Sequence, residues 1–314
     1  MIIVTGGAGF IGSNLVHELN RQGHDDVVVV DNLTEGRKFS NIATATIADY
    51  MDVSEFRGWF EAERDPFRKI ERVYHLGACS TTTEWDGRMM LDLNYAYARD
   101  LISYCIKRTI PIVYASSAAI YGGSTTFSEA VENEKPINVY AFSKRLLDGF
   151  VRRQVSSTTS QVVGLRYFNV YGPREQHKGS MASVAYHLNA QMLESDTVKL
   201  FDGSGGFAAG EQRRDFIYVD DTVSTTLWFA DNPQVSGIFN CGTGRAESFN
   251  QVATAVLDWH GRGSIEYIEF PDRLRTAYQS FTQADLTALR SVGCDLEYRC
   301  VSDGVCQYLD WLND

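Results

Sequence analysis

Apolar runs alternate with stretches of helical periodicity through the first half of the chain. The clearest runs are IIVTG from residue 2, VVVVD from residue 27, RVYHLG from residue 72 and PIVYASS from residue 111. A strand that is apolar at every position is buried on both faces, which happens in parallel sheets covered by helices. The chain is therefore predicted to be an α/β protein with a doubly wound parallel sheet, the Rossmann arrangement.

The other elements follow from the same periodicity. Two further strands are predicted at ATIAD, residues 45–49, and at QVVGLRYF, residues 161–168. Helices are predicted at residues 10–22, 52–62, 86–108 and 138–154. After about residue 169 glycine-rich turns and short strands take over, with helices near residues 180–194, 248–260 and 282–292.

The composition is that of a globular chain. Its 314 residues are 44% hydrophobic and 22% charged, which argues against disorder and against a membrane protein. No apolar run approaches the roughly 20 residues that a membrane span needs. The opening MIIVTGGAGF reads as a buried strand and a glycine loop, without the basic region of a signal peptide. We therefore expect a cytoplasmic protein with no membrane partner.

The charge and the cysteines exclude two further classes of function. A net charge of −11, from 29 basic and 40 acidic residues, argues against a nucleic-acid partner, so an anionic ligand must be held by local donors. The cysteines form no CxxC pair and are expected to be reduced thiols, with no metal site. They are Cys79, Cys105, Cys241, Cys294, Cys300 and Cys306.

A glycine loop joins the first predicted strand to the first predicted helix. The segment TGGAGFIG places Gly6, Gly9 and Gly12 where the backbone turns sharply and a pyrophosphate can approach a helix N-terminus. Asp31, at the end of the second strand, lies where a ribose hydroxyl partner is expected. A tight turn without a ligand is the alternative, and the strand, helix and acid together favour a dinucleotide site.

The loop after the second strand bears on the choice of dinucleotide. Asp31 alone favours NAD, because a carboxylate repels a 2′-phosphate. Arg37 and Lys38 follow in the same loop and could hold that phosphate, or could be solvated surface cations. We predict NADP, with NAD possible. Asp49, after the predicted third strand, could accept a hydrogen bond from the adenine amine.

A tyrosine and a lysine four residues apart suggest a proton-transfer centre. The segment YAFSK places Tyr140 and Lys144 on one helix face. A nearby ammonium stabilises a phenolate and lowers the pKa of the tyrosine. Ser117, at the end of the fifth strand, could donate to the same substrate oxygen. The alternative is a helix-surface pair, but the preceding glycine loop and strands favour catalysis.

These motifs resemble the extended short-chain dehydrogenase/reductase family. The resemblance rests on TGGAGFIG, the serine run at ASSAA, YAFSK, RYFNVYGPRE and RDFIYVDD. The stretches ACSTTTEWDG, YFNVYGPREQHKGSMASVAYHLN, GIFNCGTGRAESF and FTQADL are similar to the members that invert C6 of an ADP-linked heptose. The resemblance implies the conversion of ADP-D-glycero-D-manno-heptose to its L-glycero epimer with bound NADP, for lipopolysaccharide core precursor synthesis, in a homo-oligomer.

The resemblance also implies a division of the chain and a second base. Residues 1–168 are expected to form the dinucleotide-binding domain, with returning segments from about 214–244, and residues 169–314 mainly the substrate-binding lobe. Tyr140 and Lys178 are expected to handle protons for the two orientations of the sugar, with Ser117 and Lys144 beside the tyrosine. Lys178 as a ligand of a cofactor phosphate, or as a surface cation, is the alternative.

Two sets of binding residues are carried over by the same resemblance. Those expected to line the cofactor, besides the glycines, are Phe10, Ile11, Asp31, Asn32, Lys38, His75, Leu76, Gly77, Ala78, Cys79, Asn94, Tyr140, Lys144, Val170 and Lys178. Those expected to line the ADP-sugar are Ser117, Asn169, Ser180, His187, Phe201, Asp202, Gly203, Ser204, Arg214 and Tyr278. Ser180 and His187 are expected on nearly the same helix face, although a core or surface histidine remains an alternative for His187.

Some positions depart from the pattern of these epimerases. Val53, Leu76 and Leu93 stand where polar side chains are expected, and the loop GSGGFAAGEQRRDF is longer than its counterpart. The rival functions are a 4-epimerase of another nucleotide sugar, a dehydratase, and a catalytically silent dinucleotide-binding regulator. ASSAA lacks the acidic pair that elimination requires, and the complete Ser117, Tyr140 and Lys144 set argues against a regulator.

Overall fold

A seven-stranded parallel sheet forms the centre of the molecule. The computed structural model describes residues 1–62, 69–270 and 279–314. The strands of this sheet are β1 Ile2–Thr5, β2 Val27–Asp31, β3 Asp49–Asp52, β4 Arg72–His75, β5 Ile112–Ser117, β6 Val162–Tyr167 and β11 Gly237–Cys241. They lie in the order β11-β6-β5-β4-β1-β2-β3, each parallel to its neighbours. The prediction of a doubly wound sheet is confirmed.

Helices cover both faces of this sheet. Those of the described residues are α1 Phe10–Arg21, α2 Val53–Glu61, α3 Gly87–Leu91, α4 Tyr97–Lys107, α5 Val139–Val155, α6 Val184–Glu194, α7 Val219–Asp231, α8 Phe249–His260, α9 Thr287–Ser291 and α10 Val301–Asn313. Along β2, Val27 and Val29 pack with residues of α1 and α7, whereas Val28 and Val30 pack with α2, α4 and α5. This is the arrangement that a fully apolar strand requires.

Outside the central sheet, the described residues form three two-stranded ladders. Their strands are β7 Asn169–Tyr171, β8 Thr197–Phe201, β9 Arg213–Arg214, β10 Phe216–Tyr218, β12 Glu247–Ser248 and β13 Ser264–Ile268. β7 pairs with β10 and β8 with β13, both parallel, whereas β9 pairs antiparallel with β12. A separate core of α6, α8 and α10 with β8 is built from side chains such as Leu188, Val252, Tyr308 and Val198.

The third strand of the sheet is four residues later than predicted. β3 spans Asp49–Asp52, and Asp49 pairs with Val28 at the amino end of the strand. Ala45 and Ile47 are partly buried against the core without being part of the ladder, so their apolar character was misread as a strand. The prediction that Asp49 follows the strand is wrong: Asp52 stands at the carboxyl end instead.

The last predicted helix also begins later than expected. Residues before α9 form an extended segment in which Phe281 bridges Arg213, and the helix begins only at Thr287. No helix in the described ranges is long and apolar enough to cross a membrane. The six cysteines are all described and are free thiols, with Cys105, Cys241 and Cys294 buried.

Candidate active site

The strand order reverses direction beside β1, so the carboxyl ends of β1 and β4 open into one crevice, where doubly wound folds bind their ligands. Gly6 has a φ of +68°, and a Cβ at this position would lie 2.6 Å from the backbone nitrogen of Gly77. A Cβ on Gly12 would collide with the carbonyl oxygen of Gly6. Both glycines are therefore required by close backbone contacts, and they bring the two loops together.

The N-terminus of α1 faces this crevice without a side-chain cap. Gly9 is its N-cap residue and offers no side-chain acceptor, and the first turn carries no acidic residue. The first N–H groups of a helix are unpaired within it, and with the helix dipole they favour an anion. The glycine contacts and this uncapped start fit the pyrophosphate of a dinucleotide.

Asp31 at the end of β2 is a buried carboxylate that accepts hydrogen bonds from three donors. Its Oδ2 accepts from the Ala8 N–H at 2.9 Å, and its Oδ1 accepts from the Asn32 N–H at 2.8 Å and from Lys38 Nζ at 2.7 Å. Lys38 therefore offsets the negative charge of Asp31 from inside the crevice. Asp31, whose charge favours NAD, is thus paired with Lys38, whose charge favours NADP.

Arg37 has a different environment from Lys38. Its guanidinium is 83% exposed and donates to Glu35, with Nε 2.8 Å from Oε1. This pairing holds the pKa of the Glu35 carboxyl down at about 2, through hydrogen bonds from the Arg37 side chain and backbone. Of the two alternatives for this residue, the structure shows the solvated surface cation.

Asn41 and His177 are crevice residues that the sequence did not indicate. The Asn41 amide donates to the Ala8 carbonyl at 3.0 Å and lies 3.1 Å from His177 Nδ1. Burial lowers the pKa of His177, and the charges of Lys38 and Lys178 lower it further. Two cations, Lys38 and Lys178, therefore lie near a neutral His177 beside the glycine loop. Asn41 and His177 are 136 residues apart in the chain, so no local motif signals their contact.

The end of β4 is fixed by a buried threonine and histidine. Thr5 Oγ1 lies 2.7 Å from His75 Nδ1 and accepts from the Gly77 N–H at 3.3 Å. Burial, with a contribution from Lys144, lowers the pKa of His75 to about 3. His75 is therefore neutral at physiological pH. Its contact with Thr5 supports the loop of Leu76, Gly77 and Ala78, because Thr5 also accepts from Gly77.

Asn94 fixes the other end of that loop. Its Oδ1 accepts from the Cys79 N–H at 2.8 Å, and its Nδ2 donates to the Cys79 carbonyl at 2.9 Å. The side chain is presented by a π-helical turn, Asp92–Ala96, between α3 and α4, and such turns are frequent at functional sites. Nδ2 also lies 3.3 Å from Ser143 Oγ on α5. Asn94 is thus placed to orient the loop that was predicted to line the cofactor.

Helix α5 carries Tyr140 into the same region as the end of β5. The helix begins where the Asn138 side chain accepts from the Ala141 N–H at 2.8 Å. The Tyr140 side chain is half-buried, and its hydroxyl is hydrogen-bonded to Ser117. Burial raises the pKa of Tyr140, and the Ser117 hydrogen bond partly offsets that rise. The predicted lowering of this pKa by Lys144 is therefore wrong for this structure, because burial dominates.

Lys144 lies one turn further along α5 and is buried. Its Nζ donates to the Ala115 carbonyl of β5 at 2.8 Å. Burial lowers the pKa of Lys144 to about 8, against the opposing charges of Asp148 and Cys79. The ammonium is therefore close to losing its proton in the upper physiological range.

Lys178 packs against the start of α1. It belongs to a short 3₁₀ segment, Gln176–Met181, and its Nζ is 5.0 Å from the centre of the Phe10 ring. Burial lowers its pKa, opposed by Glu175, whose Oε2 is 3.7 Å from Nζ. The side chain is 23% exposed. The structure thus brings Lys178 to the predicted cofactor residues with the direction of pKa shift that a base requires.

Glu175 anchors the loop that carries Lys178, and the sequence analysis missed it. The carboxylate is fully buried and accepts from the Ser183 N–H at 2.7 Å and the Ser183 hydroxyl at 2.6 Å. The neighbouring Arg174 adopts a φ of +71° and donates to Asn14 Oδ1 at 2.8 Å. The loop is therefore tied to α1 on one side and to the start of α6 on the other.

The residues expected to line the sugar lie on several elements. Asn169 and Val170 belong to β7, beside Phe216 and Ile217 of β10. Ser180 is exposed in the turn before α6, which begins at Val184, so the prediction that Ser180 and His187 share a helix face is wrong. The helix starts later because Ser183 caps it, with its hydroxyl accepting from the Tyr186 N–H at 3.3 Å.

The end of β8 forms the other part of the predicted sugar site. Gln212 donates to the Asp202 carbonyl at 3.0 Å and to Ser204 Oγ at 3.1 Å, which fixes the turn of Phe201, Asp202, Gly203 and Ser204. Arg214 is buried and its guanidinium lies 5.8 Å from the centre of the Phe249 ring. Tyr278 lies outside the described residues.

Comparison with known proteins gives a consistent result. The profile of the NAD dependent epimerase/dehydratase family matches residues 2–242. ADP-L-glycero-D-manno-heptose-6-epimerase of Alkalilimnicola ehrlichii is 58% identical over 314 residues, with 100% of this chain and 98% of that protein covered.

Solved structures show the same relationship. The crystal structure of ADP-L-glycero-D-manno-heptose-6-epimerase from Helicobacter pylori matches with a TM-score of 0.85 and 29% identity, over 99% of this chain and 96% of that one. UDP-glucose 4-epimerase with UDP-glucose from Thermotoga maritima matches with a TM-score of 0.82 and 28% identity, over 99% and 98% of the two chains.

Proposed function

This chain belongs to the NAD dependent epimerase/dehydratase family, and on that premise we propose that it converts ADP-D-glycero-β-D-manno-heptose to ADP-L-glycero-β-D-manno-heptose by inverting C6. The observation that carries the proposal is the 58% identity to a heptose 6-epimerase along the whole chain. The positions of two candidate proton-handling groups, Tyr140 on α5 and Lys178 against Phe10 of α1, support it.

The chain's own residues account for the proton movements. A bound nicotinamide supplies the hydride acceptor and donor for C6. Tyr140 Oη, held by Ser117, would take the proton of the C6 hydroxyl in one orientation of the sugar, as C6 is oxidised. In the opposite orientation the Lys178 ammonium would supply a proton to the carbonyl oxygen as C6 is reduced on its other face, and the two groups exchange roles in the reverse reaction, where the lowered pKa of Lys178 favours the accepting amine. Inversion needs both groups because the carbonyl presents its two faces in turn.

The cofactor is proposed to be NADP, with NAD as the second candidate. The family is NAD dependent, and the glycine loop, the uncapped α1 and the β4 loop fit a dinucleotide. Lys38 offsets the charge of Asp31, and Lys178 adds positive charge close to His177. These cations favour a ribose that carries a 2′-phosphate.

The substrate lobe and the cellular setting follow the same proposal. Residues 1–168 hold the dinucleotide, with the returning segments near 214–244, and residues 169–314 mainly hold the ADP-heptose. The substrate residues are proposed to be Ser117, Asn169, Ser180, His187, Phe201, Asp202, Gly203, Ser204, Arg214 and Tyr278. The enzyme is proposed to act in the cytoplasm as a homo-oligomer.

Two measurements test the proposal. Mass spectrometry of the protein released in denaturant identifies the dinucleotide that copurifies, and NMR reads the C6 configuration after incubation with ADP-D-glycero-β-D-manno-heptose. The L-glycero product is expected. UDP-galactose serves as the competing substrate: turnover of UDP-galactose without turnover of the heptose would identify a 4-epimerase, and retention of dinucleotide without turnover of either would identify a regulator.

A further inference from the structure

Asn41 joins the glycine loop to the segment that carries Lys178. Its Nδ2 donates to the Ala8 carbonyl at 3.0 Å and lies 3.1 Å from His177 Nδ1. The side chain is buried, and the Asn41 carbonyl oxygen lies 2.9 Å from Nε2 of His17 on α1. The proposed function gives Asn41 no role, although both of its side-chain contacts lie among the predicted cofactor residues.

The two contacts of the Asn41 amide define which nitrogen of His177 carries the proton. A carbonyl oxygen only accepts, so the amide nitrogen faces Ala8, and its second hydrogen is available to His177. An amide nitrogen only donates, so His177 Nδ1 accepts and the ring proton lies on Nε2. The ring is also hydrogen-bonded to the backbone of Arg174. His177 is therefore held as a neutral side chain between the glycine loop and its own segment.

Asn41 belongs to the same short segment as Lys38. The segment Gly36–Asn41 is a 3₁₀ helix with three residues per turn, so Lys38 and Asn41 lie on one face of it. Lys38 binds Asp31, whose Oδ2 accepts from the Ala8 N–H at 2.9 Å. Asp31 and Asn41 therefore hold both polar backbone groups of Ala8, in the loop that is predicted to receive the pyrophosphate.

Lys178 depends on the backbone of its segment for its position. Its Nζ is 3.7 Å from Glu175 Oε2 and 5.0 Å from the centre of the Phe10 ring, and a lysine side chain is long and flexible. The 3₁₀ segment Gln176–Met181 departs from helical geometry directly afterwards, at Gly179 with a φ of +53°. A restraint on the residue just before Lys178 is therefore needed to aim its ammonium.

We propose that Asn41 is a positioning residue for the epimerisation: through His177, its amide holds Lys178 against the loop that receives the dinucleotide. The inference rests on the proposed function, because it concerns Lys178 as the second proton-handling group. His177 directly precedes Lys178, so its contact with Asn41 restrains the backbone from which the lysine side chain extends. A reacting group displaced by about 1 Å can cost about 10²-fold in rate, so this restraint is expected to matter for turnover.

The test compares His177→Asn with His177→Leu. The two new side chains are similar in size, branch at Cγ and carry no charge, but only the asparagine keeps an acceptor at the position of Nδ1. Epimerisation is expected to be at least about 10-fold lower in His177→Leu than in His177→Asn. Because His177 is half-buried, both variants are expected to fold. Equal rates of epimerisation in the two variants would overturn the proposal.

Asn41→Leu removes the donor from the other side of the contact. It is expected to lower epimerisation as His177→Leu does, and the double variant should lose little more than either single variant, because both changes break one contact. Ser40→Ala is the matched control, since it removes an exposed hydrogen bond of the same 3₁₀ segment and should leave the rate unchanged. Additive losses in the double variant would show that the two residues act separately and would contradict the proposal.

A half-reaction separates the aim of Lys178 from general damage to the crevice. Reduction of an aldehyde-bearing sugar analogue needs only the orientation that Tyr140 serves, so it should stay close to the wild-type rate in His177→Leu and Asn41→Leu while epimerisation falls. Dinucleotide occupancy is measured in the same samples by absorbance after release. A half-reaction or an occupancy that falls as far as epimerisation would assign Asn41 to the cofactor instead, against the proposal.

NMR of protein labelled with ¹⁵N at histidine tests the contact without substrate. The His177 signals are assigned by their absence in His177→Asn. In the wild type Nδ1 should be unprotonated and Nε2 protonated, and the Nδ1 signal should move in Asn41→Leu but not in Ser40→Ala. A protonated Nδ1 in the wild type, or an Nδ1 signal that stays in place in Asn41→Leu, would refute the contact. Absent turnover of the heptose by the wild type, with this spectrum as expected, is a failure of the proposed function alone.

Discussion

At the scale of single residues, Tyr140 is half-buried, and its hydroxyl is hydrogen-bonded to Ser117. Tyr140→Phe removes the hydroxyl while leaving the ring and the crevice, so epimerisation is expected to fall by at least about 10²-fold, the contribution typical of a positioned acid or base. Bound dinucleotide, measured by its absorbance after release, should remain at the wild-type level. Turnover that survives undiminished would remove Tyr140 from the mechanism.

Lys144 predicts how epimerisation and stability depend on pH. Its pKa of about 8 in the folded protein lies below the unperturbed 10.5, so the ammonium is present below pH 8 and is lost above it. Epimerisation is therefore expected to decline as the pH rises through about 8. The depressed pKa also means that burial of the ammonium costs stability below pH 8, and that this cost disappears progressively between about 8 and 10.5.

Thermal unfolding measured between about pH 8 and 10.5 separates the effect of Lys144 on activity from its effect on stability. Activity should fall while the contribution of Lys144 to the free energy of unfolding rises. Lys144→Met is the control, since it removes the titrating group and with it this part of the pH dependence of stability. Parallel losses of activity and of folded protein above pH 8 would instead indicate general denaturation.

At the scale of structural elements, the loop between β7 and α6 carries Lys178, the proposed second base. Lys178→Met is expected to reduce epimerisation strongly while a half-reaction on an aldehyde-bearing sugar analogue survives, because Tyr140 still serves one orientation. Stopped-flow absorbance of the reduced nicotinamide measures the half-reaction. Loss of both activities with normal dinucleotide occupancy would give Lys178 a positioning role.

The anchor of the same loop offers a related test. Glu175→Gln keeps the size of the side chain but replaces an acceptor of the Ser183 hydrogen bonds and removes the charge near Lys178. A lost buried hydrogen bond to a charged group costs about 1.5–3 kcal/mol, so the unfolding midpoint in denaturant should fall. The pKa of Lys178 should fall too, because Glu175 raises it, and a midpoint for Lys178 that rises would contradict the pairing.

The sequence predicted these elements unevenly, for physical reasons. Periodicity located α1, α2 and α5 to within about two residues, since each has one apolar face and a clear start. It misplaced β3, because Ala45 and Ile47 are buried by packing without being in the ladder. Motifs located Tyr140 and Lys144, which lie on one helix, but Asn41 contacts Ala8 and His177 from distant segments and so leaves no local pattern.

At the scale of the whole molecule, the dinucleotide should act as a stabilising ligand. Anything that binds only the folded state raises its stability by mass action. If Lys38, His177 and Lys178 receive a 2′-phosphate, NADP should raise the melting temperature of dinucleotide-free protein more than NAD does at the same concentration. Scanning fluorimetry measures the difference, and Lys38→Met should reduce it, whereas Arg37→Met, which removes an exposed cation paired with Glu35, should not.

The connectivity of the central sheet has a consequence for any attempt to divide the protein. The chain leaves the sheet after β6, builds β7 to β10 and α6, and comes back to supply β11 as the outermost strand beside β6. A fragment that stops at residue 168 would lack that strand and α7, baring the backbone of β6 and the side chains of α1 that α7 covers. The segments before and after residue 168 are thus interwoven, and expressing the first alone should give insoluble chains.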